Sequence, residues 1–103
     1  MELRAHRLAI RELRDAVTLD ESERPGRGLD LAFEVDRVFQ RLQALPRSAP
    51  CWSAPIGEYE VRRATVMRHP YVVVYSIHTD HVLVLAIAHT SRRPGYWVNR
   101  LNG

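Results

Sequence analysis

The stretch from Tyr71 to His89 constrains the fold most tightly. Tyr71-Val72-Val73-Val74-Tyr75-Ser76-Ile77 and His81-Val82-Leu83-Val84-Leu85-Ala86-Ile87-Ala88-His89 are rich in β-branched and aromatic residues, which favour strands. Both are apolar at nearly every position instead of alternating, so both faces of the sheet they form must be covered. Thr79-Asp80 between them reads as a tight hairpin connection, although the usual glycine is absent.

The rest of the chain must supply the cover. Leu3 to Ala5 reads as a short first strand. From His6 to about Thr18, the residues Ala9, Leu13, Ala16 and Val17 recur at helical spacing. The run from Asp20 to Gly28 holds a proline and two glycines and breaks that helix. A second helix follows from about Leu29 to Leu45, with a stripe of Leu31, Ala32, Val35, Val38, Phe39, Leu42 and Leu45. Pro46 ends it. Two helices with a short loop make an antiparallel hairpin with one apolar face.

Residues 46–60 hold three prolines and read as a connection. Val61 to Met67 is a further strand. The order β-α-α-β-β-β predicts an α+β fold: an N-terminal strand and a two-helix hairpin packed on a three- to four-stranded antiparallel sheet. The helices cover one sheet face, and the C-terminal tail or a partner covers the other. At 103 residues the chain is read as a single domain, 1–103.

All fifteen basic side chains are arginine and none is lysine. Lysine is therefore missing as a proton-transfer base, whereas arginine's planar fork suits bidentate contact with phosphate or carboxylate. The charge is unevenly spread. Residues 1–60 carry nine arginines against eleven carboxylates, a net of −2, while residues 61–103 carry six against Asp80 alone, a net of +5. The C-terminal part is thus expected to meet an anionic partner. A single cysteine, Cys51, suits a reducing cytoplasm, and no apolar run approaches the ~18 residues of a membrane span. The first residues lack the apolar centre of a signal peptide, so a cytoplasmic protein without membrane contact is expected.

Three pieces in order, "ERPGRGLDLAFEVDRVFQRLQALP" (23–46), "VRRATVMRHPYVVVYSI" (61–77) and "VLVLAIAHTSRRP" (82–94), resemble the RelE/ParE toxins of bacterial type II toxin–antitoxin systems. The likeness lies in an arginine on a strand, Pro-Tyr opening the next, and His and Arg closing the last. The resemblance implies a toxin held inactive by a cognate antitoxin, which lays a helix and an extended segment across it. It implies one of two targets: RelE-like members cut mRNA on the ribosome, and ParE-like members inhibit DNA gyrase. A homodimer, or a heterotetramer with the antitoxin, is compatible with the family.

Cleaving RNA through its own 2′-OH needs a base, an acid and cations on the scissile phosphate. Laid onto the RelE-like set, Arg92 falls on the last-strand arginine. Arg63 stands where a lysine is expected, and arginine stays protonated. Val72 takes the place of a strand arginine. The tail tyrosine falls near Val98, with Tyr96 close enough to substitute in a shifted tail. His89 is the one side chain here suited to act as a base near neutrality; its bland alternative is a strand-end histidine bonded to backbone. Candidate catalytic residues are therefore Arg63, His89, Arg92 and Tyr96. Candidate target-binding residues are Arg62, Arg68, Arg93 and Trp97, although Arg62 reads equally as a structural arginine bonded to a loop carbonyl, and Arg68 and His69 as residues shaping the turn before Pro70-Tyr71.

His78, His81 and His89 share a region but lack the accompanying ligands of a metal site, so no metal or cofactor is expected. Cys51-Trp52 has no base beside it and is not read as a nucleophile. The depleted catalytic set points to a ParE-like toxin acting by binding. The alternatives are a metal-independent, RelE-like endoribonuclease on the ribosome and, last, a basic nucleic-acid-binding module.

Overall fold

The computed structural model describes residues 1–52 and 55–102. The chain forms β1 (Glu2–Ala5), α1 (Arg7–Glu23), α2 (Arg27–Ala44), β2 (Glu60–Thr65), β3 (Tyr71–Ile77), β4 (His81–His89) and a closing 3₁₀ helix (Val98–Asn102). The strands make one sheet in the order β1-β4-β3-β2. Both strong strands fall where their composition puts them, and His78 N–H donates to His81 O at 2.9 Å across the Thr79-Asp80 turn.

The sheet is mixed, which corrects the expectation of an antiparallel one. β1 lies parallel to β4, pairing Leu3 with Val82 and Ala5 with Val84, while β2, β3 and β4 are antiparallel in turn. The cause is the path of the connection after α2. Residues 50–52 run back along β2, with Cys51 bridged antiparallel to Arg62, so β2 starts from the same end of the sheet as β1. With β2 and β1 aligned, the β2-β3-β4 meander leaves β4 parallel to β1.

α1 runs on to Glu23, five residues past the expected end at Thr18. The acidic run does not break the helix; it caps the next one. The Glu21 carboxylate accepts from the amides of Gly26, Gly28 and Leu29 at 2.8, 3.0 and 3.2 Å, satisfying the start of α2. Gly26 turns the chain at φ 91°, and Gly28 lets the helices touch, since a Cβ there would meet Val17 O at 2.3 Å.

Leu31, Val35, Val38 and Leu42 of α2 and Ala9 and Ala16 of α1 pack on Val73, Tyr75, Val82 and Val84. The opposite sheet face buries Val61, Val74, Leu85, Ala86 and Ala88 under Trp97 and Leu101. The C-terminal tail therefore supplies the second cover that the apolar strands require. A bulge at Leu85, between the pairs Val74–Ala86 and Tyr75–Val84, puts Leu85 and Ala86 in the same core.

Candidate functional site

The tail that closes the second core also builds a pocket. Arg63 of β2, His89 of β4, and Arg92, Arg93, Tyr96 and Trp97 after it line one depression of about 150 Å³. Six of the eight residues singled out in the sequence thus converge, from a strand edge and a turn separated in the chain. Val72 and Val74 form its floor and Trp52 its side. Val72, at the position of the RelE-like strand arginine, leaves that floor apolar.

Two of the pocket's three arginines meet aromatic rings. The Arg92 guanidinium lies 3.9 Å from the Tyr96 ring centroid, and that of Arg63 lies 5.5 Å from Trp52. Among the described residues, Arg63, Arg92 and Arg93 form no ion pair. All three are exposed. Trp52 and Trp97 pack edge to face at 5.1 Å. The Trp97 ring is only 1% exposed, so it supports the pocket wall and offers no free surface to a target.

The proton-transfer candidates are engaged. The Tyr96 hydroxyl donates to Glu12 Oε2 at 2.8 Å, and burial together with this carboxylate pushes its pKa up to about 12. Glu12, from α1, also accepts from both Arg100 terminal nitrogens at 2.9 and 3.0 Å and from the Ile87 amide at 3.1 Å. Arg100 further donates to Leu85 O at 2.9 Å. Glu12 and Arg100 so cap β4 where β1 no longer covers it, and they anchor the tail carrying Tyr96. Sequence reading missed Glu12 because a glutamate between apolar helical positions has the pattern of a solvated face.

His89 Nδ1 accepts from the Ser91 amide at 3.0 Å and lies 2.7 Å from Ser91 Oγ. An Nδ1 that accepts from an amide is unprotonated, so the neutral ring carries its proton on Nε2. In that tautomer His89 presents a donor to a bound anion and has no free nitrogen to take a proton.

Arg62 and Arg68 stand apart from the pocket. Arg62 Nε donates to Glu60 at 2.8 Å, and its Nη1 donates to Ala49 O at 2.6 Å, pinning the 46–50 connection to β2. Arg68, at φ 68°, pairs with Asp30 at 3.1 Å and with buried Glu34 of α2. His69 Nε2 reaches Asp30 Oδ2 at 2.7 Å. These bonds, from His69 first and then Arg68, hold the Asp30 carboxyl below its usual range. They clamp the β2–β3 turn to α2 and consume the Arg68 charge. Glu34 is buried on α2, and the reach of Arg68 from the turn makes its burial tolerable.

Two further histidines, His78 and His81, lie at the far end of the sheet. His78 and His81 stack at 4.6 Å with planes 5° apart, and burial first, then the His81 charge, lowers the His78 pKa. Among the described residues, no group of three or more His, Cys, Asp or Glu is placed to hold a metal ion, and no helix is long and apolar enough to cross a membrane.

The architecture defines a class before it defines a family. It superposes on the structure titled "Chromosomal ParDE TA system from P. aeruginosa" with a TM-score of 0.72, at 18% identity, over 86% of this chain and 95% of that one. That likeness establishes a shared fold. No match is found among curated proteins. The model of the ParE toxin of type II toxin-antitoxin system, parDE, matches residues 3–94. The chain belongs to the ParE toxin family. Tyr96, Trp97 and Arg100 lie beyond the matched span.

Proposed function

We propose that this chain is a ParE-type toxin that works by binding, with DNA gyrase as its target and Arg63, Arg92 and Arg93 as the grip. An antitoxin neutralises it, and both meet it in the bacterial cytoplasm. The observation that carries this reading is the pocket's chemistry: three exposed arginines without carboxylate partners among the described residues, beside a tyrosine hydroxyl and a histidine nitrogen that are already bonded. Such a set holds an anionic surface, whether phosphate or carboxylate, and supplies no free base. The apolar floor at Val72 favours the same reading, because RelE-like cleavage would draw a further cation from that position.

The test puts purified toxin into two assays in parallel. Supercoiling by purified gyrase is expected to be inhibited, and mRNA in a ribosome-programmed translation extract to stay intact. Specific mRNA cuts that vanish in His89→Ala and Arg92→Ala would overturn binding in favour of the nuclease.

A further inference from the structure

The first half of α1 carries a row of arginines. Arg7, Arg11 and Arg14 follow one another at i, i+4 and i+7, which sets them on one side of the helix over a length of about 10 Å. All three are exposed, and among the described residues none forms an ion pair. Asp15, the exposed carboxylate beside them, forms none either. Glu12 is turned away from the row, to Tyr96 and Arg100. Charge counting hides this row, because residues 1–60 carry nine arginines against eleven carboxylates.

The row runs against the needs of its own helix. The first turn of a helix favours negative side chains and opposes positive ones. α1 opens with Arg7 and has no acidic residue in its first turn; only His6 caps it, through Nδ1 accepting from the Leu8 amide at 3.1 Å. Side chains that break a local rule and gain no partner within the fold point to a partner outside it. A protein partner anchors on apolar and aromatic side chains and leaves charge to the rim. Here the exposed Leu19, Leu29 and Phe33 gather at the other end of the helical hairpin, and only Ile10 lies beside the row. A phosphate backbone asks for arginines and needs no apolar anchor. The row spans about three phosphate steps of about 3.4 Å along one strand. Its lack of aromatic side chains suits a duplex, whose bases are already stacked, over a single strand.

We propose that Arg7, Arg11 and Arg14 contact the phosphate backbone of duplex DNA, on a face separate from the pocket, which no residue of α1 lines. Glu12 couples the two faces, since its carboxylate holds the hydroxyl of Tyr96, the ring on which Arg92 lies. A toxin whose pocket engages gyrase thereby brings α1 to the DNA that the enzyme holds. That last step rests on the pocket reading; the duplex contact itself does not.

The experiment measures binding of the full chain to a short labelled DNA duplex by fluorescence anisotropy across a range of salt concentrations. Two triple variants of equal charge are compared with the parent: Arg7→Gln, Arg11→Gln and Arg14→Gln together, and Arg24→Gln, Arg37→Gln and Arg41→Gln together, the latter exposed arginines outside the row. Glutamine keeps the helix propensity of arginine. The row variant is expected to lose about tenfold or more in affinity, and its slope of log affinity against log salt to fall by about three, one for each arginine. The control variant is expected to keep the parent's slope. Equal losses in both variants overturn the proposal, because net charge alone then explains the binding. So does a row variant that binds the duplex like the parent; if it loses affinity for the antitoxin instead, the row belongs to an acidic protein. Arg7→Glu guards against a folding defect: it suits the helix end, so its denaturation midpoint is expected to rise while its duplex affinity falls. A rise in midpoint with duplex affinity intact overturns the contact at Arg7. In gyrase supercoiling the row variant is expected to inhibit less well than the parent. If the parent itself fails to inhibit, the pocket reading falls while the duplex result stands.

Discussion

Arginine does opposite work in two regions of this molecule. At the β2–β3 turn, Arg68 reaches Asp30 and Glu34, and beside it His69 holds Asp30; carboxylates neutralise the guanidinium, and the result is a clamp between sheet and helix. At the C-terminal end of β4, Arg92 lies on Tyr96 and, from the neighbouring edge of β2, Arg63 lies on Trp52, and among the described residues no carboxylate answers either. Aromatic stacking orients a guanidinium without neutralising it, whereas ion pairing neutralises it. The residue type alone therefore says little about role; what the guanidinium faces decides whether it serves the fold or a partner.

The largest expected effect falls on the structural part of the pocket region. Trp97→Ala removes a buried ring from the second core and is expected to cost about 3–5 kcal/mol in chemical denaturation. A loss below 1 kcal/mol would mean that the tail does not close that core.

Next comes the clamp. Arg68→Ala leaves the Glu34 carboxylate buried without its nearest cation and is expected to lower the midpoint of chemical denaturation. Arg68→Gly should cost less than Ala, because glycine relieves a left-handed backbone penalty of about 1 kcal/mol at this position. Equal losses for the two would show that the φ of 68° carries no strain.

The pH dependence separates the regions by sign. Tyr96 has a folded pKa raised to about 12 from its ordinary 10.0, so the stability it brings is complete below pH 10 and is lost as pH rises toward 12. Asp30 has a lowered folded pKa, so its contribution is present above the usual carboxylate range and is lost as pH falls through the folded value. In denaturation across pH, Tyr96→Phe is expected to flatten the alkaline limb and Asp30→Asn the acid limb. A Tyr96→Phe variant with an unchanged alkaline limb would remove the Glu12 bond from the account.

The fold was legible where pattern and burial coincide. The strands Tyr71–Ile77 and His81–His89, apolar on both faces, announced a doubly covered sheet. The Leu31, Val35, Val38 and Leu42 stripe announced the helix that covers one side. The misreadings have a common cause, which is hydrogen bonds to backbone outside the local stretch. Glu21 caps α2 and so lengthens α1, yet in sequence it belongs to an apparent breaker. The parallel direction of β1 depends on residues 46–52, held by Arg62 to Ala49 and by Arg63 to Pro50, and neither bond has a local signature.

The site was half legible for a similar reason. His89, Arg92 and Arg63 could be named from the ordered motifs. Glu12 could not, because a separation of 75 positions from Ile87 hides the contact that makes it the anchor of the tail. Trp52 was equally hidden, as a ring in a proline-rich connection whose partners, Trp97 and Arg63, lie elsewhere in the chain.

The central claim, that unpaired arginines hold the target and paired ones hold the fold, is tested most directly by gyrase inhibition with Arg92→Ala and Arg68→Ala side by side. Arg92→Ala removes an exposed side chain, so its stability should stay within about 0.5 kcal/mol of the parent, while its inhibitory concentration rises about tenfold or more. Arg68→Ala, assayed where it remains folded, should inhibit like the parent. Full inhibition by Arg92→Ala, with inhibition lost in folded Arg68→Ala, would contradict the account.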